Sequence, residues 1–243
     1  MVKFSTILLL LIFSVQVYAG VFLDAETGAV FSGMNDVRIP GNYGSRVSLT
    51  GVLKTGPSYF VRARAGVEFM ERHAVTFLAA PLSIESRGRS SRPVFFYGGF
   101  YPPGLPLKSV FTFNSYRLSY RYYFINTKDF RLGAGLTAKI RDAYISMESL
   151  GARRTRSNLG FVPLVNLGME WRFAPKLALV IDVDALAAPQ GRAEDILAAL
   201  QFSPNENLAL RAGYRILEGG ADNKSVYTFS LFHYVVAGVT YRI

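Results

Sequence analysis

Strict alternation interrupted by arginines is the feature that most constrains this chain. Across 57–69 (PSYFVRARAGVEF), Tyr59, Val61, Ala63, Ala65, Val67 and Phe69 share one parity, and Arg62, Arg64, Gly66 and Glu68 share the other. Only Phe60 is out of step. Period-two alternation predicts a β-strand with one apolar and one polar face. In a soluble barrel the apolar face looks inward. In a membrane barrel it meets lipid, and the arginines line the lumen.

The pattern recurs along the chain. Segment 21–31 sets Val21, Leu23 and Phe31 against Asp24 and Glu26, and 115–124 sets Tyr116, Leu118 and Tyr122 against Arg117 and Arg121. Segment 130–141 carries Arg131, Lys139 and Arg141 on one parity, and 158–173 carries Glu170 and Arg172. Asp182 and Asp184 share a face in 177–185, as Arg211 and Arg215 do in 208–216. Weaker candidates at 74–85 and 194–203 and a terminal strand at 226–243 bring the expected strands to about ten. Short polar connections fall at 70–73, 125–129, 174–176 and 204–207, and longer ones at 32–56, 86–109, 142–157, 187–193 and 218–225. An up-and-down antiparallel meander with short turns at one end and long loops at the other predicts an all-β outer-membrane barrel. An even strand number puts both termini at the short-turn, periplasmic end.

Three signals set the orientation of the strands. Parity holds over 57–69 and 130–141, longer than the five or six residues of a usual globular strand and sufficient for a tilted membrane crossing. Aromatic residues on the apolar parity (Phe69, Tyr122, Phe124, Phe130, Trp171, Phe173 and Tyr241) gather beside the short turns, where one interfacial girdle would lie. The chain ends in GVTYRI, which resembles the C-terminal signal read by the barrel-assembly machinery, with Ile243 in place of the usual phenylalanine. An arginine facing lipid at mid-membrane costs about 2–4 kcal/mol, so the arginines must face the lumen. A secreted lipocalin-like barrel would explain the alternation but neither the girdle nor the chain end.

The first residues, MVKFSTILLLLIFSVQVYAG, combine Lys3, an apolar run from Ile7 to Phe13 and small Ala19. They read as a secretory signal peptide over 1–19, leaving 20–243 as the barrel. There is no cysteine, which removes thiol catalysis, cysteine metal sites and disulfides. The formal charge of +10 points, in an exported chain, to outer-membrane lipid and lipopolysaccharide rather than nucleic acid. The segments FVPL, DALAAPQGRAEDI and RAGYRILEGGAD resemble those of a group of bacterial outer-membrane β-barrel proteins with no assigned activity. That resemblance implies the fold and carries over no catalytic residue.

The expected lumen holds the cations Arg62, Arg64, Arg117, Arg121, Arg131, Lys139, Arg141, Arg172, Arg211 and Arg215, with the anions Asp24, Glu26, Glu68, Glu170, Asp182 and Asp184. Side chains of that length fill a small barrel, and buried charges need partners. The leading expectation is a charge-paired plug in a structural or surface-interaction barrel, with Asp182 and Asp184 as counterions to Arg211 and Arg215. The surplus of cations allows a small anion-leaning pore as the alternative. Only two histidines exist. His73 reads as a polar turn residue. His233 could serve an outer-leaflet lipid hydrolase with Ser225 or Ser230, but Ser230 has the opposite parity, so that pair needs a bulge to meet. An aspartate–histidine protease on a ten-stranded barrel would need a histidine in the long loops, and they contain none. Arg87, Arg89, Arg92, Arg153, Arg154 and Arg156 lie in expected loops and suit lipopolysaccharide phosphates. No cofactor or metal motif is present.

Overall fold

A computed structural model describes residues 19–189 and 191–243. The expected leader lies outside the described residues but for the backbone of Ala19. The described elements are all strands: β1 (Ala19–Arg38), β2 (Val47–Ser48), β3 (Leu53–Thr55), β4 (Ser58–Phe69), β5 (His73–Ala80), β6 (Ser83–Arg89), β7 (Val94–Phe96), β8 (Gly99–Tyr101), β9 (Pro106–Asn126), β10 (Phe130–Ser149), β11 (Ala152–Ala174), β12 (Leu177–Ala188), β13 (Gly191–Phe202), β14 (Leu208–Asp222) and β15 (Tyr227–Arg242).

They close a 10-strand antiparallel barrel, in the ring order β1, β4, β5 with β6, β9, β10, β11, β12, β13, β14, β15. Closure runs from Phe22↔Arg242 to Arg38↔Tyr227. β5 and β6 both pair β9 and form one wall strand broken at Pro81–Leu82, where proline has no backbone donor for the ladder. Short β2 and β3 stitch the 39–57 segment to β1 and β6, and β7 and β8 form a separate small hairpin.

The outer face answers the orientation question. Leu23, Val61, Leu118, Leu136, Leu159, Phe161, Leu200 and Val235 are exposed on the outside, while Arg62 and Arg117 on the opposite parity are buried inside. An apolar exterior around a charged interior is the surface of a membrane barrel. At the short-turn end the expected girdle is present, with Trp171 and Phe173 edge to face at 5.8 Å. His73 belongs to it: it opens β5 and stacks on Phe69 at 5.3 Å instead of sitting in a turn. The turn before it is tight, three residues between the paired Phe69 and His73, with Met70 and Glu71 left-handed at φ 49° and 61°.

The wall runs further than the sequence suggests. Residues 142–157, expected as a long loop, are the tops of β10 and β11 joined at Leu150 and Gly151, both with positive φ. The expected loops at 187–193 and 218–225 are likewise mostly strand. The reason is a change of environment. Beyond the apolar belt the outward residues turn polar (Glu85, Lys108, Asp142, Glu148, Arg153), and the inward ones turn apolar. Val30, Phe60, Ile84, Phe111, Ile145, Met147, Phe232 and Tyr234 enclose a core there. Val47, Leu49 and Leu53 from the 39–57 segment and Val94, Phe96 and Tyr101 from the β7–β8 hairpin fill it from within. On β1 the register shift between Ser32 and Met34 swaps the inward parity, from Val30 below to Asn35 and Val37 above.

Candidate functional site

Below the apolar core the lumen is filled by charge. β4, β9 and β14 supply arginines, and β1, β12 and β13 supply carboxylates. Asp195 of β13, 3% exposed along its side chain, accepts from Arg62 at 3.0 Å, Arg117 at 2.6 Å and Arg215 at 2.5 Å. Glu26 faces three arginines too: Arg62 at 3.3 Å, Arg211 at 2.9 Å and Arg215 at 2.8 Å. Arg117 reaches on to Asp184 at 2.6 Å, which also accepts from the Thr137 hydroxyl at 2.8 Å. Arg211 reaches Asp24 at 2.6 Å, which also accepts from the Thr240 hydroxyl at 2.6 Å.

A second group lies nearer the short turns. Asp182 binds Arg121 at 2.6 Å and Arg64 at 3.0 Å, and Arg121 also donates to the Asn166 side chain at 2.9 Å. Glycine on the inward face makes room for these long side chains. A Cβ at Gly168 would lie 2.0 Å from the Arg121 guanidinium, and one at Gly238 would lie 2.8 Å from Nε of Arg211. Towards the mouth, Arg131 pairs with Glu68 at 3.2 Å and Arg172 with Glu170 at 2.9 Å. A cavity of about 130 Å³ remains among Arg64, Arg121, Arg131 and Asp182.

The expected counterions are rearranged. Asp182 and Asp184 are held by Arg64, Arg121 and Arg117, whereas Arg211 and Arg215 are met by Asp24, Glu26 and Asp195. Arg211 on β14 stands beside Gly238 of β15, whose other neighbour is Glu26 of β1, so its side chain crosses a position without a side chain to reach Asp24 and Glu26. Asp195 was missed in the sequence because β13 is apolar on both faces. Leu197 and Ala199 follow Asp195 inward, while Ile196 and Leu200 face outward. Lys139 and Arg141 stand apart from the network, with neither in an ion pair among the described residues. Arg141 donates to the Asn158 side chain, and Lys139 Nζ lies 4.7 Å from the Phe113 ring.

The other candidate residues are scattered. His233 faces outward, with Nδ1 2.5 Å from the Tyr214 hydroxyl. Ser230 is buried inside and donates to Asn35 Oδ1 at 3.1 Å, and Ser225 donates to Asn223 within its turn at 2.7 Å. The wall does bulge there, but on β1 and not β15, so Ser230 and His233 keep opposite faces. Arg87 points outward and shares Glu85 with Lys108, at 2.5 Å and 2.8 Å. Those two cations hold the Glu85 carboxyl below its ordinary value, the Lys108 hydrogen bond foremost. Arg89 donates to the Gly104 carbonyl at 2.6 Å, Arg92 is exposed, and Arg153 stands opposite Glu148. Arg154 and Arg156 lean over the β7–β8 hairpin instead, Arg156 lying 5.6 Å from the Tyr97 ring. The six arginines therefore do not form one patch.

No family model matches the sequence, and no curated protein sequence matches it. The structure is similar to the crystal structure of the outer membrane protease OmpT from Escherichia coli, at TM-score 0.59 and 11% identity, covering 92% of this chain and 97% of that one. It is also similar to the transport unit of the autotransporter AIDA-I from Escherichia coli, at TM-score 0.49 and 8% identity over 93% and 89% of the two chains. OprG from Pseudomonas aeruginosa matches at TM-score 0.38 and 11% identity over 93% and 96%. At 11% identity the likeness to OmpT is one of fold: the chain has the fold of an outer-membrane β-barrel.

Proposed function

We propose that this protein is an integral outer-membrane barrel with a structural or surface-interaction role and a lumen shut by its own side chains. The observation that carries this reading is Asp195, a buried carboxylate gripped by arginines from three different wall strands. A buried charge network of this kind braces the wall from inside and leaves its members unavailable to a passing ion. The apolar core above it blocks the same axis a second time. On this reading both termini lie in the periplasm beside the short turns, and β15 with Ile243 is the strand offered to the barrel-assembly machinery. Arg87, Arg153 and Lys108 face outward just beyond the lipid belt, where lipopolysaccharide phosphates lie, and Arg92 is exposed in the bend before β7; Arg154 and Arg156 are not in that set. Catalysis through His233 is not proposed, because its hydroxyl partner is a tyrosine on the lipid-facing wall.

Planar-bilayer recording of the refolded barrel tests the closed lumen. The expected trace is flat in 1 M-class salt; steady anion-selective conductance would replace this reading with the small pore. Trypsin added to intact cells tests the orientation. Cutting should occur at Arg89 or Arg153, both exposed at the upper ends of the wall strands, and should spare Arg72 and Lys128 in the short turns. The reverse pattern would invert the barrel.

A further inference from the structure

The wall has a gap. β11 pairs β12 only from Val165↔Ala185 down towards the short turns. Above that point, residues 152–164 of β11 pair β10 alone, and Leu186, Ala187 and Ala188 of β12 pair β13 alone. Pro163 sits where the pairing stops and removes one backbone donor there. Val165 lies six residues above Trp171 of the girdle, about 15 Å at a 40° tilt, and so within the apolar belt and past its midplane. Val165, where the pairing ends, is exposed on the outer face within the belt, and Phe161 is exposed at about its upper edge, so lipid borders the lower part of the gap.

Behind the gap lies a cavity of about 440 Å³. This is within the roughly 300–1,000 Å³ of small-molecule sites. Its walls combine outward-facing Phe161 with inward Phe113, Leu186, Leu217, Val226 and Phe232, so the cavity passes through the wall. Lys139 and Arg141 line the same cavity. Lys139 is 2% exposed and has no carboxylate within ion-pair distance among the described residues. The nearest carboxylates on that side, Asp184 and Asp195, are already taken by Arg117, the cross-strand neighbour of Lys139. Arg141 Nε is buried with no acceptor. Glu218 in the same lining is paired with Arg192, so Lys139 and Arg141 remain two cationic groups without a carboxylate beside the apolar walls, an arrangement that favours a bound anion. Apolar walls and a side opening to lipid require that the anion carry an apolar chain.

We infer that this cavity binds a single-chain anionic amphiphile, entering sideways from the membrane between β11 and β12. Its carboxylate or phosphate meets Lys139 and Arg141, and its chain lies against Phe113, Leu217 and Phe232. The inference is independent of the closed axial lumen, because the gap opens to lipid and not along the barrel axis.

The test is native mass spectrometry of the barrel released from phosphatidylcholine nanodiscs equilibrated with dodecanoate, dodecyl phosphate or dodecanol. One adduct per barrel is expected for an anionic probe, with dodecanol at least about tenfold weaker. Tighter dodecanoate would identify a free fatty acid as the natural source, and tighter dodecyl phosphate a lipid phosphate. Lys139→Met should weaken the anionic probe by about tenfold and leave dodecanol unchanged. Ala188→Trp, at the hairpin end beside the gap, should abolish binding of the anionic probe while the folded gel mobility persists, and it keeps the test open if Lys139→Met does not fold. Equal binding of dodecanol and dodecanoate, or unchanged binding in a folded variant, would overturn the inference.

Discussion

Two halves of one interior are filled by opposite chemistry. In the half wrapped by lipid, the inside is arginine and carboxylate and the outside is leucine, valine and aromatic rings. In the half that projects beyond the belt, the same strands put Val30, Phe111, Met147 and Phe232 inside and Asp36, Glu85, Lys108 and Glu148 outside. The backbone is continuous across the boundary, and β9, β10 and β11 pass through both zones. What differs is the solvent. Lipid rejects exposed charge and water rejects exposed hydrocarbon, so each half buries what its surroundings refuse. The gap between β11 and β12 lies near the seam of the two regimes.

The comparison breaks hardest at Asp195. Asp195→Asn leaves Arg62, Arg117 and Arg215 short of a carboxylate, and breaking a buried ion pair from one side typically costs about 3–5 kcal/mol. The expected result is a marked drop in the temperature at which the barrel loses its heat-modifiable gel mobility. An equal drop from Asp182→Asn, whose site is more open, would show that no hub exists. The apolar half should yield differently. Leu53→Ala removes a fully buried side chain of β3, worth about 2–5 kcal/mol of packing. The loss falls on the 39–57 segment inside the upper barrel, so faster tryptic cleavage at exposed Lys54 is expected with little change in barrel mobility. A shift in barrel melting as large as that of Asp195→Asn would mean that the two halves fold as one unit.

The smallest effect belongs to the outer surface of the upper half. Glu85→Gln loses an exposed pair with Arg87 and Lys108, worth about 0–1 kcal/mol and screened by salt. The depressed Glu85 carboxyl gives the sign. Its contribution is present above the unfolded value of about 4.3 and is lost as pH falls below it through the lower folded value. Protection of Lys54, which stands opposite Arg87, against trypsin should therefore soften slightly in acid for the wild type and not for Glu85→Gln. An identical acid response in both would remove Glu85 from the account.

How much was legible follows from the same divide. Parity identified the wall strands and the direction of Arg62, Arg117 and Asp182, because a lipid-wrapped strand must keep one face wholly apolar. Phe60, the single residue out of step in the first strand, was the visible trace of the upper core. It is buried against Tyr234, their ring centres 4.9 Å apart. Where both faces are apolar, as at 194–203, or where a bulge swaps them, as at Gly33, the alternation carries less information, and Asp195 and the long wall went unread. Ion-pair partners were not legible either, since they depend on the side chains that meet across a closed ring.

That ring gives the network a consequence for assembly. The pairs join distant parts of the chain: Arg117 and Asp195 lie 78 residues apart, Arg62 and Asp195 133, Arg211 and Asp24 187, Arg215 and Glu26 189. A partly built sheet holds the lumen arginines of β4 and β9 long before β13 brings Asp195. Such contacts close late and together, because each must bring together chain ends separated by a long loop. The charged lumen thus acts as a latch: an open sheet keeps Arg211 and Arg215 of β14 away from Asp24 and Glu26 of β1, and joining β15 to β1 brings them together.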